Sequence, residues 1–169
     1  MTQDEFESAQ YDLGTCKRIT AESIGSPGQR YFRLSALAEL GSAIIWLEKE
    51  QLYQLAMSVK QLLRTEMKEH FEGETEPQTG VHADYDIKAA QLALGHDRES
   101  DLYLLMVHES INDSRAMLAL WLDRQQLDSL ADQAFWLCAA GRPRCPLCGA
   151  PINETERHIC ARTNGHVKE

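Results

Sequence analysis

Trp46-Leu47-Glu48-Lys49-Glu50-Gln51-Leu52 and Trp121-Leu122-Asp123-Arg124-Gln125-Gln126-Leu127 match at four of seven positions, and Leu55-Ala56 recurs at the same offset as Leu130-Ala131. Both stretches mark a change of period. Before the first lie AIIWL and, further back, RYFRLSALAE, with Phe32, Leu34 and Ala36 alternating as in a strand with one face inward. After it, Leu52, Leu55, Ala56, Val59, Leu62, Leu63 and Met67 fall at helical spacing over about five turns. An acidic residue three positions before a Gln (Glu48 and Gln51, Asp123 and Gln126) is suited to a reciprocal cap on the first helical amides.

Working outward, TCKRITAESI gives the first half a third strand, with Cys16, Arg18 and Thr20 on one face and Ile19 and Ala21 on the other. The second half repeats the plan in YDIKAAQLAL, DLYLLMVH and RAMLALWL, followed by a helix through Leu127, Leu130, Ala131, Ala134, Leu137 and Cys138. The expectation is an α+β fold, a tandem βββα duplication. Its strands would make a mostly antiparallel sheet or an open barrel covered by two helices. The boundaries expected are a flexible N-terminus at 1–14, a first repeat at 15–68, an acidic linker at 69–83, a second repeat at 84–140 and a tail at 141–169. Cys16 and Cys138 read as core thiols, and His70 and His82 as loop histidines.

The tail GRPRCPLCGAPINETERHICARTNGHVKE has metal-ligand spacing. Cys145 and Cys148 form a C-x-x-C knuckle with Pro146 and Gly149 at its turn, and His158 and Cys160 follow two apart, facing the same way in extended chain. Three thiolates and an imidazole complete a tetrahedral zinc site with no open position, the signature of a structural rather than catalytic metal. His166 is a reserve ligand for His158.

The net charge of −9 is uneven. In the tail, Arg142, Arg144, Arg157, Arg162 and Lys168 oppose Glu154, Glu156 and Glu169, so the rest of the chain carries −11. An acidic body repels nucleic acid and anionic membranes, and no apolar run approaches the length of a membrane span. The absence of a secretory leader pattern gives the expectation of a cytoplasmic protein with reduced thiols.

The stretch GSPGQRYFRL, the paired WLEKEQL and WLDRQQL joints and the cysteine-rich tail together resemble an uncharacterised bacterial family carried under the label "repeat protein", common in actinobacteria. The resemblance covers Gly14 to His166. It implies no particular activity, only genomic neighbours of phosphatase-like and lipid-kinase-like type, which is association and not mechanism. The chain departs from the family at His166, where members often carry a bulkier aromatic residue.

Two further places hold chemistry-bearing residues. In the turn GSPGQR, Gly25 and Gly28 would let amides face a small anion, with Arg30 and Arg33 supplying charge; hairpin geometry explains the same residues. His96, Asp97, Arg98, Glu99 and Asp101, with His108 and Glu109 beyond, contain acid, base and cation types, in a segment as polar as any solvated turn. The function expected is binding or assembly, as an adaptor or accessory subunit with a protein partner and a structural zinc. The alternative is a metal-dependent or phosphate-handling enzyme with its site at the turn or beside the knuckle.

Overall fold

The computed structural model describes residues 9–25, 29–65 and 82–139. Contacts divide the chain into Met1–Cys138 and Ala139–Glu169. Among the described residues, seven strands and two helices follow one another. They are β1 (Tyr11–Ile24), β2 (Tyr31–Ala38), β3 (Gly41–Leu47), α1 (Lys49–Leu63), β4 (Tyr85–Lys88), β5 (Gln91–Asp97), β6 (Leu102–His108), β7 (Leu118–Leu122) and α2 (Arg124–Ala139).

The strands form one sheet in the order β4-β3-β2-β1-β7-β6-β5. Neighbours within each half are antiparallel, but β1 runs parallel to β7 and β3 parallel to β4, so the sheet is mixed, with four of its six pairings antiparallel. The parallel pairs arise because the opening strand of each half crosses to the last strand of the other. Tyr11 and Asp12 lie against Leu118 and Ala119, as Tyr85 and Asp86 lie against Ala43 and Ile44. The two tyrosines meet, ring centroids 5.0 Å apart.

Although β4 and β5 stand at opposite ends of this order, only Ala89 and Ala90 separate them. Ala89 donates its amide to Trp46 O on β3 (2.9 Å) and Ala90 donates to His108 O on β6 (2.8 Å), so the sheet comes round on itself. Inward-facing Leu34, Ile45, Leu105, Leu120 and Leu122 then share one core with the apolar faces of both helices.

β1 begins at Tyr11, inside the stretch expected to be a flexible lead-in, and its faces do not follow simple alternation. Leu13, Cys16, Ile19 and Ala21 are all buried in the core. Register shifts between Asp12 and Thr15 and between Cys16 and Arg18 re-aim the strand, so Cys16 joins Ile19 instead of opposing it. Gly14 takes φ +76 at the first shift, where a side chain is disfavoured. Buried among apolar groups, the Cys16 thiol is pushed up to about 12, the state of an inert core cysteine.

The helix joints are built alike. Glu48 N–H donates to Gln51 Oε1 (2.8 Å) and Asp123 N–H to Gln126 Oε1 (3.0 Å). The Gln51 amide reaches Ala89 O (3.0 Å) and the Gln126 amide reaches Cys16 O (2.8 Å), tying the start of α1 to the β4–β5 connection and the start of α2 to β1. Trp46 Nε1 donates to Asp86 (2.7 Å) and Trp121 Nε1 to Asp12 (3.2 Å). α1 stops earlier than the apolar spacing suggested. Arg64 turns left-handed at φ 55, Thr65 N–H closes onto Lys60 O, and Leu62 is exposed rather than part of the buried stripe. Met67 lies outside the described residues.

Candidate functional site

Side chains on the outward face of β1-β2-β3 sit in rows set by the strand register. Glu22, Arg33 and Trp46 form one row, and Thr20, Ser35 and Ile44 the next. Strand alternation puts these residues opposite the core. Glu22 and Arg33 are nonetheless only 3% and 7% exposed. Arg33 Nε donates to Glu22 Oε2 at 2.7 Å, Ser35 Oγ donates to the same oxygen at 3.1 Å, and Thr20 Oγ1 donates to Oε1 at 3.3 Å. The guanidinium of Arg33 also lies 5.5 Å from the Trp46 ring centroid, a cation–π distance.

Around this network is a hollow of about 330 Å³, within the range of small-molecule sites. Its lining includes the polar Arg18 and His82 and the apolar Leu37 and Ile44. Ser42 at its edge is held by Asp84, to which it donates through both N–H (2.9 Å) and Oγ (3.2 Å).

The equivalent rows on β5-β6-β7 read Gly95, Leu104, Trp121 and Ala93, Met106, Ala119. They face outward in the same way, but Leu104, Met106 and Ala119 are buried and form an apolar cluster with Ala116, separate from the main core. The β1-β2-β3 rows thus carry a charged, hollow face and the β5-β6-β7 rows a closed, apolar one.

The sequence-expected sites fare differently. Cys145, Cys148, His158, Cys160 and the reserve ligand His166 lie outside the described residues, as do His70 and Gly28. Gly25 is explained by its turn. Its φ is +107, and a Cβ there would stand 2.5 Å from Gln29 O. Arg30 does not line the hollow, and its Nε is enclosed without a hydrogen-bond partner among the described residues. His96 and His108 are at opposite ends of the β5–β6 pairing, so the second cluster is not one site. His96 stacks on Tyr103 (4.3 Å) and contacts exposed Asp101 (2.9 Å). Asp97 is held below the usual carboxylate range by hydrogen bonds from Ser100 and the Glu99 amide, as in a polar turn. Among the described residues no group of three or more His, Cys, Asp or Glu is placed to hold a metal ion.

Glu22 was not singled out by spacing, because along β1 it is one charged residue among several. Its pairing with Arg33, eleven residues on, becomes visible only once the β1–β2 register is known. A second buried charge cluster was also missed. Lys60 of α1 contacts Asp128 (2.7 Å) and Asp132 (2.8 Å) of α2, and Thr65 Oγ1 donates to Asp128 (2.8 Å). Burial lowers the proton affinity of Lys60, but the two aspartates outweigh it and its pKa is raised above 10.5.

Mixed sheet, paired helices and a polar hollow on one outward face define an α+β protein whose candidate site lies on strands rather than in loops. The chain belongs to the family described as "Protein of unknown function (DUF3090)", whose model matches residues 11–160. No curated protein and no solved structure matches the chain. Among the described residues no helix is long and apolar enough to cross a membrane.

Proposed function

We propose that this protein is a small-molecule-binding module, an adaptor or accessory subunit built from a duplicated βββα unit and closed by a zinc-stapled tail. Duplication is supported by contacts that recur with the halves exchanged. Tyr53 of α1 meets Phe135 of α2 edge-on, ring centroids 5.5 Å apart, and the positions that correspond to them, Asp128 and Lys60, meet as an ion pair. Arg124 Nη2 donates to Leu63 O (2.6 Å), and at the corresponding positions Cys138 Sγ approaches Lys49 O (3.7 Å). Such pairs follow if two equal units fold around a common axis into a barrel-like sheet.

One observation carries the functional reading: Glu22, Arg33 and Ser35 stand where the second half has Gly95, Leu104 and Met106. The second half closes this face with apolar residues, so folding does not require charge there. Burying an ion pair is often less stabilising than well-packed hydrophobic residues of similar volume. Its retention around an open hollow is therefore best explained by a ligand. Native mass spectrometry of the freshly purified full chain tests this. A bound small molecule is expected in the parent and absent from a Glu22→Ala/Arg33→Leu/Ser35→Met variant; an identical spectrum for both would count against the reading.

The zinc reading rests on the spacing of Cys145, Cys148, His158 and Cys160. About one zinc per chain is expected, lost or weakened by Cys160→Ser. The Cys148→Ser variant should melt lower and lose its tail to protease faster, because metal binding and local folding are coupled. Freshly reduced protein free of metal would remove zinc from the account while leaving the hollow intact. The tail would then be read as a segment ordered by a protein partner.

A further inference from the structure

We infer that the hollow accepts a small amphipathic anion, a carboxylate or phosphate carried on an apolar body. This rests on the reading of the hollow as a binding site and specifies what enters it.

The argument starts from which charges in the lining are already satisfied. The Glu22 carboxylate accepts from Arg33, Ser35 and Thr20, so its negative charge is matched within the wall. Arg18 is exposed and has no ion-pair partner among the described residues, and it lines the same hollow. His82 and Arg33 line the hollow too. Among the described lining residues the one carboxylate is thus spent on a buried guanidinium, and the group left for an incoming ligand is the Arg18 guanidinium, a planar donor fork that matches carboxylate and phosphate oxygens. Asp84, which follows the lining residue Ala83, is committed to Ser42.

Leu37, the cross-strand partner of Arg18, and Ile44 give the hollow an apolar wall, and Leu37 is substantially exposed. A bare inorganic ion would leave that wall wet, whereas an apolar body would cover it. The whole chain carries −9, so long-range steering works against anions, and recognition has to come from these short contacts. In the second half Gln91 pairs with His108 at the register where Arg18 pairs with Leu37, and the neighbouring rows are filled. The cationic, half-apolar hollow is therefore peculiar to the first half.

The test uses the full chain and three probes of similar size: benzoate, phenyl phosphate and benzylamine, followed by amide NMR shifts and calorimetry. Benzoate or phenyl phosphate should move the amides of Arg18, Ser35 and Ile44 with a Kd on the order of 1 mM, as expected for so small a ligand. Arg18→Gln should weaken that binding about tenfold, the scale of a charge-assisted hydrogen bond, without changing the melting temperature. The tighter of the two anions assigns carboxylate or phosphate. Benzylamine binding as well as the anions at the same amides would keep the hollow as a site and overturn its preference for anions. Anion binding indifferent to Arg18→Gln would overturn the inference too. If no probe moves these amides, both the inference and the small-molecule reading fail.

Discussion

Two faces of one sheet, built on equivalent strands and each anchored by a tryptophan, have been finished in opposite ways. Behind Trp121 the face is closed with Leu104, Met106 and Ala119; behind Trp46 it holds Glu22, Arg33 and Ser35 around a hollow. The helix pair repeats the contrast. Tyr53 and Phe135 make an apolar contact, and their counterparts Asp128 and Lys60, joined by Asp132, make a buried charged one. What a fold needs from a position and what a site needs from it can thus be told apart within a single chain, because one half supplies the apolar solution that the other half does not use.

The comparison can be broken most forcefully at Arg33. Replacing it alone with Leu leaves the Glu22 carboxylate buried without its guanidinium and should cost about 3–5 kcal/mol by urea denaturation. If Arg33→Leu is instead neutral, the pair is not a desolvated unit and the contrast between the faces loses its energetic basis.

Lys60→Met strands two aspartates between the helices and should cost about 3 kcal/mol at neutral pH. The pH dependence has a definite sign. The pKa of Lys60 is raised on folding, so its contribution is complete below 10.5 and is lost as pH rises through the higher folded value. The parent should therefore lose stability above pH 10.5 more steeply than the Lys60→Met variant. Parallel curves for the two would show that the cluster is not charged as described.

Smaller effects sharpen the likeness between halves. Gln51→Ala and Gln126→Ala each remove a cap and a tie, to the β4–β5 connection and to β1 respectively, and each should cost about 1 kcal/mol in thermal unfolding. Equal costs would support equivalent joints. A cost at one joint only would mean that the shared sequence does not carry a shared structural role.

The joints, the inward residues of β2 and the buried stripe of α1 from Leu52 to Val59 were legible in the sequence because period and capping are local properties. The closure of the sheet was not. It depends on the opening strand of each half pairing across to the other half, and on Tyr11-Asp12 and Tyr85-Asp86 sharing a role that two residues are too few to announce. Cys16 is the core thiol its sequence context suggested, but it does not share a face with Arg18 and Thr20, because shifts of register within β1 have no signature beyond Gly14. For the site, Arg33 is legible as a charge near a turn, but its partner Glu22 depends on the β1–β2 register, and the hollow beside the pair has no local signature in the sequence.

The most direct test of the central claim is the unfolding free energy and benzoate affinity of the Glu22→Ala/Arg33→Leu/Ser35→Met chain, which gives the first face apolar residues like those of the second. The account predicts stability equal to or above that of the parent, since both members of the buried pair leave together, and loss of binding. A variant as unstable as Arg33→Leu alone would contradict it by making the charges a requirement of the fold. Undiminished benzoate binding would contradict it by placing the site elsewhere.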